Sequence, residues 1–282
     1  MNKIFQPKFL PLVATTAGLM GFMLRFKTIS GGTDAEGLYT FELVPWLLLC
    51  IVSIAVPVLI FVMARPLTEP GKFSDNFPVS IVSAVGCLIG ALGLAISALD
   101  MFQIYQRSVN TLTPDTLSLI AAVLGLMATV MIGVVAFARL KGNKPNFLCH
   151  LSVCLYMAVR IFCQCRAWSN EPQISVFLLP FLANLFVMLA AYHLCAFDVD
   201  MGKRRASLMY SLCAVYLCLT ALPGAQDILF LGCMAIWLLT NLCSLRIIKS
   251  RKSKTPVNPV QATMGNSDVS IDELQGWLEE EE

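Results

Sequence analysis

Charge is scarce in this chain. Lys, Arg, Asp and Glu make up 13% of its 282 residues, against about 25% in soluble domains. A net charge of +2, with no basic stripe interleaved with aromatics, excludes nucleic acid as a partner. No HExxH, no G-x-S-x-G and no Gly-rich phosphate loop occurs, so the chain is expected not to be an enzyme. There is no A-x-A-like site after the first apolar stretch; Arg25 and Lys27 follow it directly. A retained first helix is therefore expected, not a cleaved signal peptide. Cysteine is missing from every proposed external loop, which argues against a disulfide framework. Buried in spans, the eleven cysteines act as small hydrophobes.

What is there instead is apolar. Hydrophobic residues reach 57% and the mean hydropathy is +0.73. A spanning helix needs about 20 apolar residues to cross a hydrocarbon core about 30 Å thick. Eight runs qualify: 9–24, 43–63, 78–99, 116–138, 146–166, 174–197, 206–222 and 225–248. They are continuous rather than alternating, which favours helices over barrel strands. The fold class expected is an all-α, polytopic transmembrane bundle of eight spans occupying residues 1–248, with the lipid bilayer as its main partner. The first and seventh runs are short and should extend into their flanks. Arg25 is expected to snorkel at the end of the first.

With eight spans both termini share one side, and Lys and Arg choose which. One set of loops and tails holds Lys3, Lys8, Arg65, Lys72, Arg139, Lys141, Lys144, Lys203, Arg204, Arg205, Arg246, Lys249, Arg251, Lys252 and Lys254. The other holds only Arg25, Lys27, Arg107 and Arg166. That asymmetry predicts a cell-membrane protein with both termini cytoplasmic.

Small residues mark the packing faces. The third span carries Gly86 and Gly90, and the fourth carries Ala121, Gly125, Thr129 and Gly133 at steps of four. Such ladders let backbones approach closely, within the bundle or, alternatively, in a dimer. Pro57 and Pro180 fall inside the second and sixth spans, where they are candidates for kinks.

The fifth span holds a cation well inside its run, Arg160. Ser152, Tyr156, Arg160 and Gln164 follow one another at intervals of four, which puts them on one helix face. Intramembrane ionisable groups face the bundle interior or a wet cavity, and Asn184 of the sixth span is a further polar candidate there. Asp100, Glu171 and Asp227 are the expected carboxylate partners for Arg160, the alternative being snorkelling to the interface. His150 and His193 lie at similar depth in the hairpin of the fifth and sixth spans, with Cys149 and Cys195 beside them. Two His at one level can hold haem or a transition metal, but interfacial His is the ordinary reading and no cofactor is expected. The acidic pair of "DVD" (198–200) resembles a metal-binding carboxylate pair. Lys203, Arg204 and Arg205 after it favour a solvated turn.

From 249 the character changes. Residues 249–267 are polar, basic at the start and broken by prolines, as in a disordered cytoplasmic linker. Residues 268–282 read as a short acidic amphipathic helix. Ser270 and Glu273 form a capping box, and Ile271, Leu274 and Leu278 share a face with Trp277 at its edge. That face is a candidate dock for a cytoplasmic protein partner.

The stretches "GFMLRFKTISGGTDAEGLYTFELVP" (21–45) and "YHLCAFDVDMGKRR" (192–205) resemble uncharacterised multi-pass membrane proteins of clostridial bacteria. The resemblance implies a bacterial inner membrane and transfers no activity. Two roles are then open. One is a non-enzymatic membrane partner or scaffold with a docking tail. The alternative is a small permease-like transporter with a polar path near Arg160 and Asn184.

Overall fold

A computed structural model describes residues 9–31, 43–64, 70–110, 115–169 and 174–245. The proposed linker and tail helix, and with them Ile271, Leu274, Trp277 and Leu278, lie outside the described residues, as does Glu171.

The fold is all-α. Its long helices are α1 (Leu10–Ile29), α2 (Leu43–Met63), α4 (Ile81–Asn110), α5 (Thr116–Lys141), α6 (Phe147–Trp168), α7 (Leu178–Asp198), α8 (Arg204–Ala221) and α9 (Ile228–Ser244). A four-residue helix, α3 (Phe73–Asn76), precedes α4. Two two-residue strands pair antiparallel, with Pro70 opposite Lys203 and Gly71 opposite Gly202. Six helices (α1, α2, α4, α5, α6 and α7) are long and apolar enough to cross a membrane. The α9 helix is apolar but has 17 residues.

Position in the bundle explains why α8 is the least apolar. It packs on α1, α2, α7 and α9, and 13 of its 18 residues are buried, including Ser207, Ser211, Tyr216 and Thr220. A helix surrounded by protein needs no lipid-like surface. By contrast, α2 buries only Leu49, Val56 and Ile60 among its described side chains and turns the rest of its apolar surface outward. Outward apolar faces are what a chain solvated by hydrocarbon presents.

The glycine ladder of α4 sits against α9. A Cβ on Gly86 would run into Thr240, and one on Gly90 would lie 2.8 Å from Trp237. On α5, Gly125 is tight against Ala98 and Tyr156, but a Cβ on Gly133 meets nothing within 4 Å and Thr129 is only half-buried. The expected four-residue ladder thus fails along α5. Each step of four overshoots a turn by about 40°, so the stripe rotates away from the neighbour. The buried face follows Ala121, Gly125, Ala128, Ile132, Val135 and Arg139 instead.

Two further expectations change. Pro180 lies in the first turn of α7, because residues 174–177 form a 3-10 turn before it, and there a missing N–H costs no helical bond. Arg25 does not snorkel. It is 3% exposed, and its Nη2 donates to the Val176 carbonyl at 2.9 Å.

Candidate functional site

Two polar clusters are buried in the bundle, one toward each end. The first lies where α6 ends and α9 begins. Arg160 is fully buried and its Nη2 donates to Asp227 Oδ2 at 2.5 Å. Its Nη1 also donates to the Ser97 hydroxyl and, at 3.3 Å, to the Tyr156 hydroxyl. Tyr156 donates to Ser97 at 2.6 Å. Gln164 Nε2 reaches Asp227 at 3.2 Å, and Asn184 Nδ2 donates to Gln164 Oε1 at 2.6 Å. The guanidinium lies 4.1 Å from the centre of the Phe230 ring. Burying a cation costs several kcal/mol unless a partner and further hydrogen bonds compensate it, and this cluster supplies both.

Of the proposed stripe, Tyr156, Arg160, Gln164 and Asn184 therefore meet. Ser152 does not, because its hydroxyl bonds back to the Cys149 carbonyl at 2.8 Å. The same rotation of about 40° per step carries it off the face. Ser97 of α4 takes the place expected of Ser152. Nothing in its apolar surroundings, "GLAISAL", signals the role.

Space around this cluster is uneven. A cavity of about 10 Å³ touches Arg160, Gln164, Asn184 and Asp227, which is close to the minimum for one water. Beside it a vestibule of about 250 Å³ is lined by Asp100, Asp115, Gln164, Arg166 and Asp227. Arg166 closes part of its charge on Asp115 at 2.9 Å.

The second cluster joins the end of α5, the start of α6, the end of α7 and the middle of α9. His150 and Asp198 are each about 1% exposed at the side chain, and Nδ1 and Oδ2 share a hydrogen bond of 2.5 Å. The imidazole stacks on Trp237 with centroids 6.4 Å apart. Arg139, 2% exposed, lies over the Phe77 ring at 3.8 Å and the Phe73 ring at 4.8 Å. Phe77 in turn meets the Phe197 ring edge-on at 5.4 Å. Arg139 Nε and Nη1, His150 Nε2, Asp198 Oδ1 and Trp237 Nε1 are buried without a hydrogen-bond partner among the described residues.

This cluster is not readily legible in the sequence, where Arg139 looks like a loop cation and Asp198 like part of a solvated turn. Asp198 is buried; only Asp200 is exposed. Asp200 adopts a left-handed backbone, φ 59°, bonds Lys144 at 2.5 Å and accepts from the Phe73 N–H at 2.9 Å. Those two contacts, Lys144 first, hold its carboxyl below the usual range. A usable signal was the Phe-x-x-x-Phe spacing of Phe73 and Phe77, which puts two rings one turn apart.

His150 and His193 take different partners. His193 is half-buried and stacks on Tyr210 at 4.8 Å. Among the described residues no group of three or more His, Cys, Asp or Glu side chains is placed to hold a metal ion. All eleven cysteines are free thiols.

Comparison of the chain with family models, curated proteins and solved structures finds no match. The functional reading therefore rests on the geometry.

Proposed function

We propose that the chain is a non-enzymatic protein of the cell membrane that acts as a membrane partner or scaffold. All eight long helices span, both termini are cytoplasmic, and the tail face of Ile271, Leu274, Trp277 and Leu278 recruits a cytoplasmic protein. The observation that carries this reading is the closure around Arg160. The cation lying well inside the fifth run is fully buried and paired, and the free space at it is about 10 Å³. That cation works as a packing staple. Counting α8 and α9 as spans agrees with the Lys and Arg asymmetry of the loops, and the burial of α8 accounts for its lower apolarity.

Reporter fusions after each loop test the eight-span orientation; an external carboxyl terminus overturns it. The docking role is tested by crosslinking the full chain beside a variant carrying L274E and L278E. A cytoplasmic crosslink lost in the variant supports it, and an unchanged crosslink pattern sinks it.

The vestibule favours the permease reading as the second choice, since it brings Asp100, Asp115 and Asp227 to one polar opening. Cys163 lines that vestibule, so a hydrophilic thiol reagent should label it. A continuous path requires that S97C, next to Arg160, also becomes labelled. Protection of S97C leaves the vestibule blind and removes the transport reading.

A further inference from the structure

Among the described arginines buried in the long helices, two have their charge visibly accounted for. Arg160 pairs with Asp227, and Arg139 lies between two phenylalanine rings. Arg25 has neither. Among the described residues it makes no ion pair and no aromatic contact, and its hydrogen bond to the Val176 carbonyl is its one polar contact. A carbonyl orients a guanidinium but does not neutralise it. At 3% exposure that leaves a buried cation with most of its desolvation uncompensated.

What Arg25 faces is a cavity of about 290 Å³ between α1, α2 and α7, near the lower end for small-molecule sites. Trp46, Leu49 and Ile54 of α2 form one wall, and Leu179 and Leu182 of α7 form the other. The hydroxyls present are already engaged. Ser53 lies 3.2 Å from the Tyr216 hydroxyl, and Thr28 donates to the Leu24 carbonyl. From Trp46 to Ile54 the α2 wall runs about 12 Å at 1.5 Å per residue. Arg25 sits four residues, about 6 Å, inside the end of α1. The chamber is thus a narrow apolar slot with one cation.

We propose that this slot binds a long-chain carboxylate from the surrounding lipid, with the carboxylate on Arg25 and the chain along α2 toward Ile54. A carboxylate matches the guanidinium fork, and one chain matches the apolar slot. A two-chain phospholipid would have to bring a larger headgroup to a 3% exposed side chain.

Trp46 in the wall supplies the readout. The full chain in non-ionic detergent is titrated with 9,10-dibromostearic acid or its neutral methyl ester at about pH 9, well above the carboxylate range. Quenching of Trp46 is isolated as the difference between the wild type and W46F. The acid should reach half-quenching at an about tenfold lower mole fraction than the ester, because a charge-assisted bond acts on the acid alone. R25Q should abolish that preference, and R25K should keep part of it. L182F, which narrows the slot without touching the charge, should weaken both probes alike. Equal quenching by acid and ester in the wild type overturns the proposal, as does a preference that survives in R25Q. Stronger quenching by a brominated phosphatidylglycerol than by the acid also overturns it, naming a two-chain lipid as the occupant. The wild-type comparison decides the matter even if R25Q fails to fold.

Discussion

Arg160 and Arg139 are almost equally buried, yet the bundle holds them by different means. Arg160 has a carboxylate at 2.5 Å, two hydroxyls and one ring, with Nε alone left without a partner among the described residues. Arg139 has two rings and two donor nitrogens without a partner. Asp198, the nearby buried acid, gives its bonded oxygen to His150 instead. The difference teaches what each cation contributes. An ion pair in an apolar interior is strongly interdependent, because either partner alone becomes an uncompensated charge. A guanidinium stacked on rings has no single partner whose loss strands it, and each ring adds about 0.5–2 kcal/mol.

Breaking the pair should give the largest effect. D227N leaves Arg160 buried without its counter-charge and should cost about 3–5 kcal/mol. The lower end is expected, since Asp227 keeps 22% side-chain exposure. The measurement is the thermal unfolding midpoint of the detergent-solubilised chain. The double variant R160M/D227N should recover much of the loss, because it removes the stranded charge along with the pair. A double variant no more stable than D227N would mean that Arg160 owes its place to Ser97 and Tyr156, not to Asp227.

R139M should cost far less, about 1 kcal/mol. The lost ring contacts are offset by relief from burying a cation whose donors are only partly satisfied. The same unfolding assay decides. A cost equal to that of D227N would erase the distinction and show that the field of Asp198 holds Arg139 as firmly as a direct bond.

The contrast also shows what the sequence made legible. Runs of apolar residues set the eight long helices, and α2 matches its predicted limits of 43–63. The end of α4 was missed by eleven residues, because Asp100, Gln103 and Arg107 end the apolar run without ending the helix. These residue types cost little in a helix, so hydropathy and helicity part company there. Arg160 stood out because it is an isolated cation in an apolar run. Arg139 did not, because at a helix end near Lys141 and Lys144 it looks like any loop cation. Its burial depends on Phe73 and Phe77 folding back from a segment more than sixty residues away. Arg25 was misread for the same reason: its place is set by Val176, 151 residues later. Contacts of that separation leave no periodic trace.

The smallest expected effect lies beside the second cluster, at Asp200. Its carboxyl is held below the usual range by Lys144 and the Phe73 N–H. A carboxylate with a depressed pKa contributes stability that is fully present above its unfolded value of about 3.9. The contribution is lost as pH falls below that value and through the folded one. Because Asp200 and Lys144 are both solvent-exposed, the effect should be slight and should weaken with salt. D200N and D200A separate its causes. Asn tolerates the left-handed φ of 59° and can still accept from the Phe73 N–H, so D200N should lose only the slight Lys144 contribution and, with it, the acid-range pH dependence. Ala loses the acceptor as well and is poorly suited to that backbone. D200A should therefore be the less stable of the two at neutral pH. Equal unfolding midpoints at neutral pH would leave the Lys144 pair as all that Asp200 contributes.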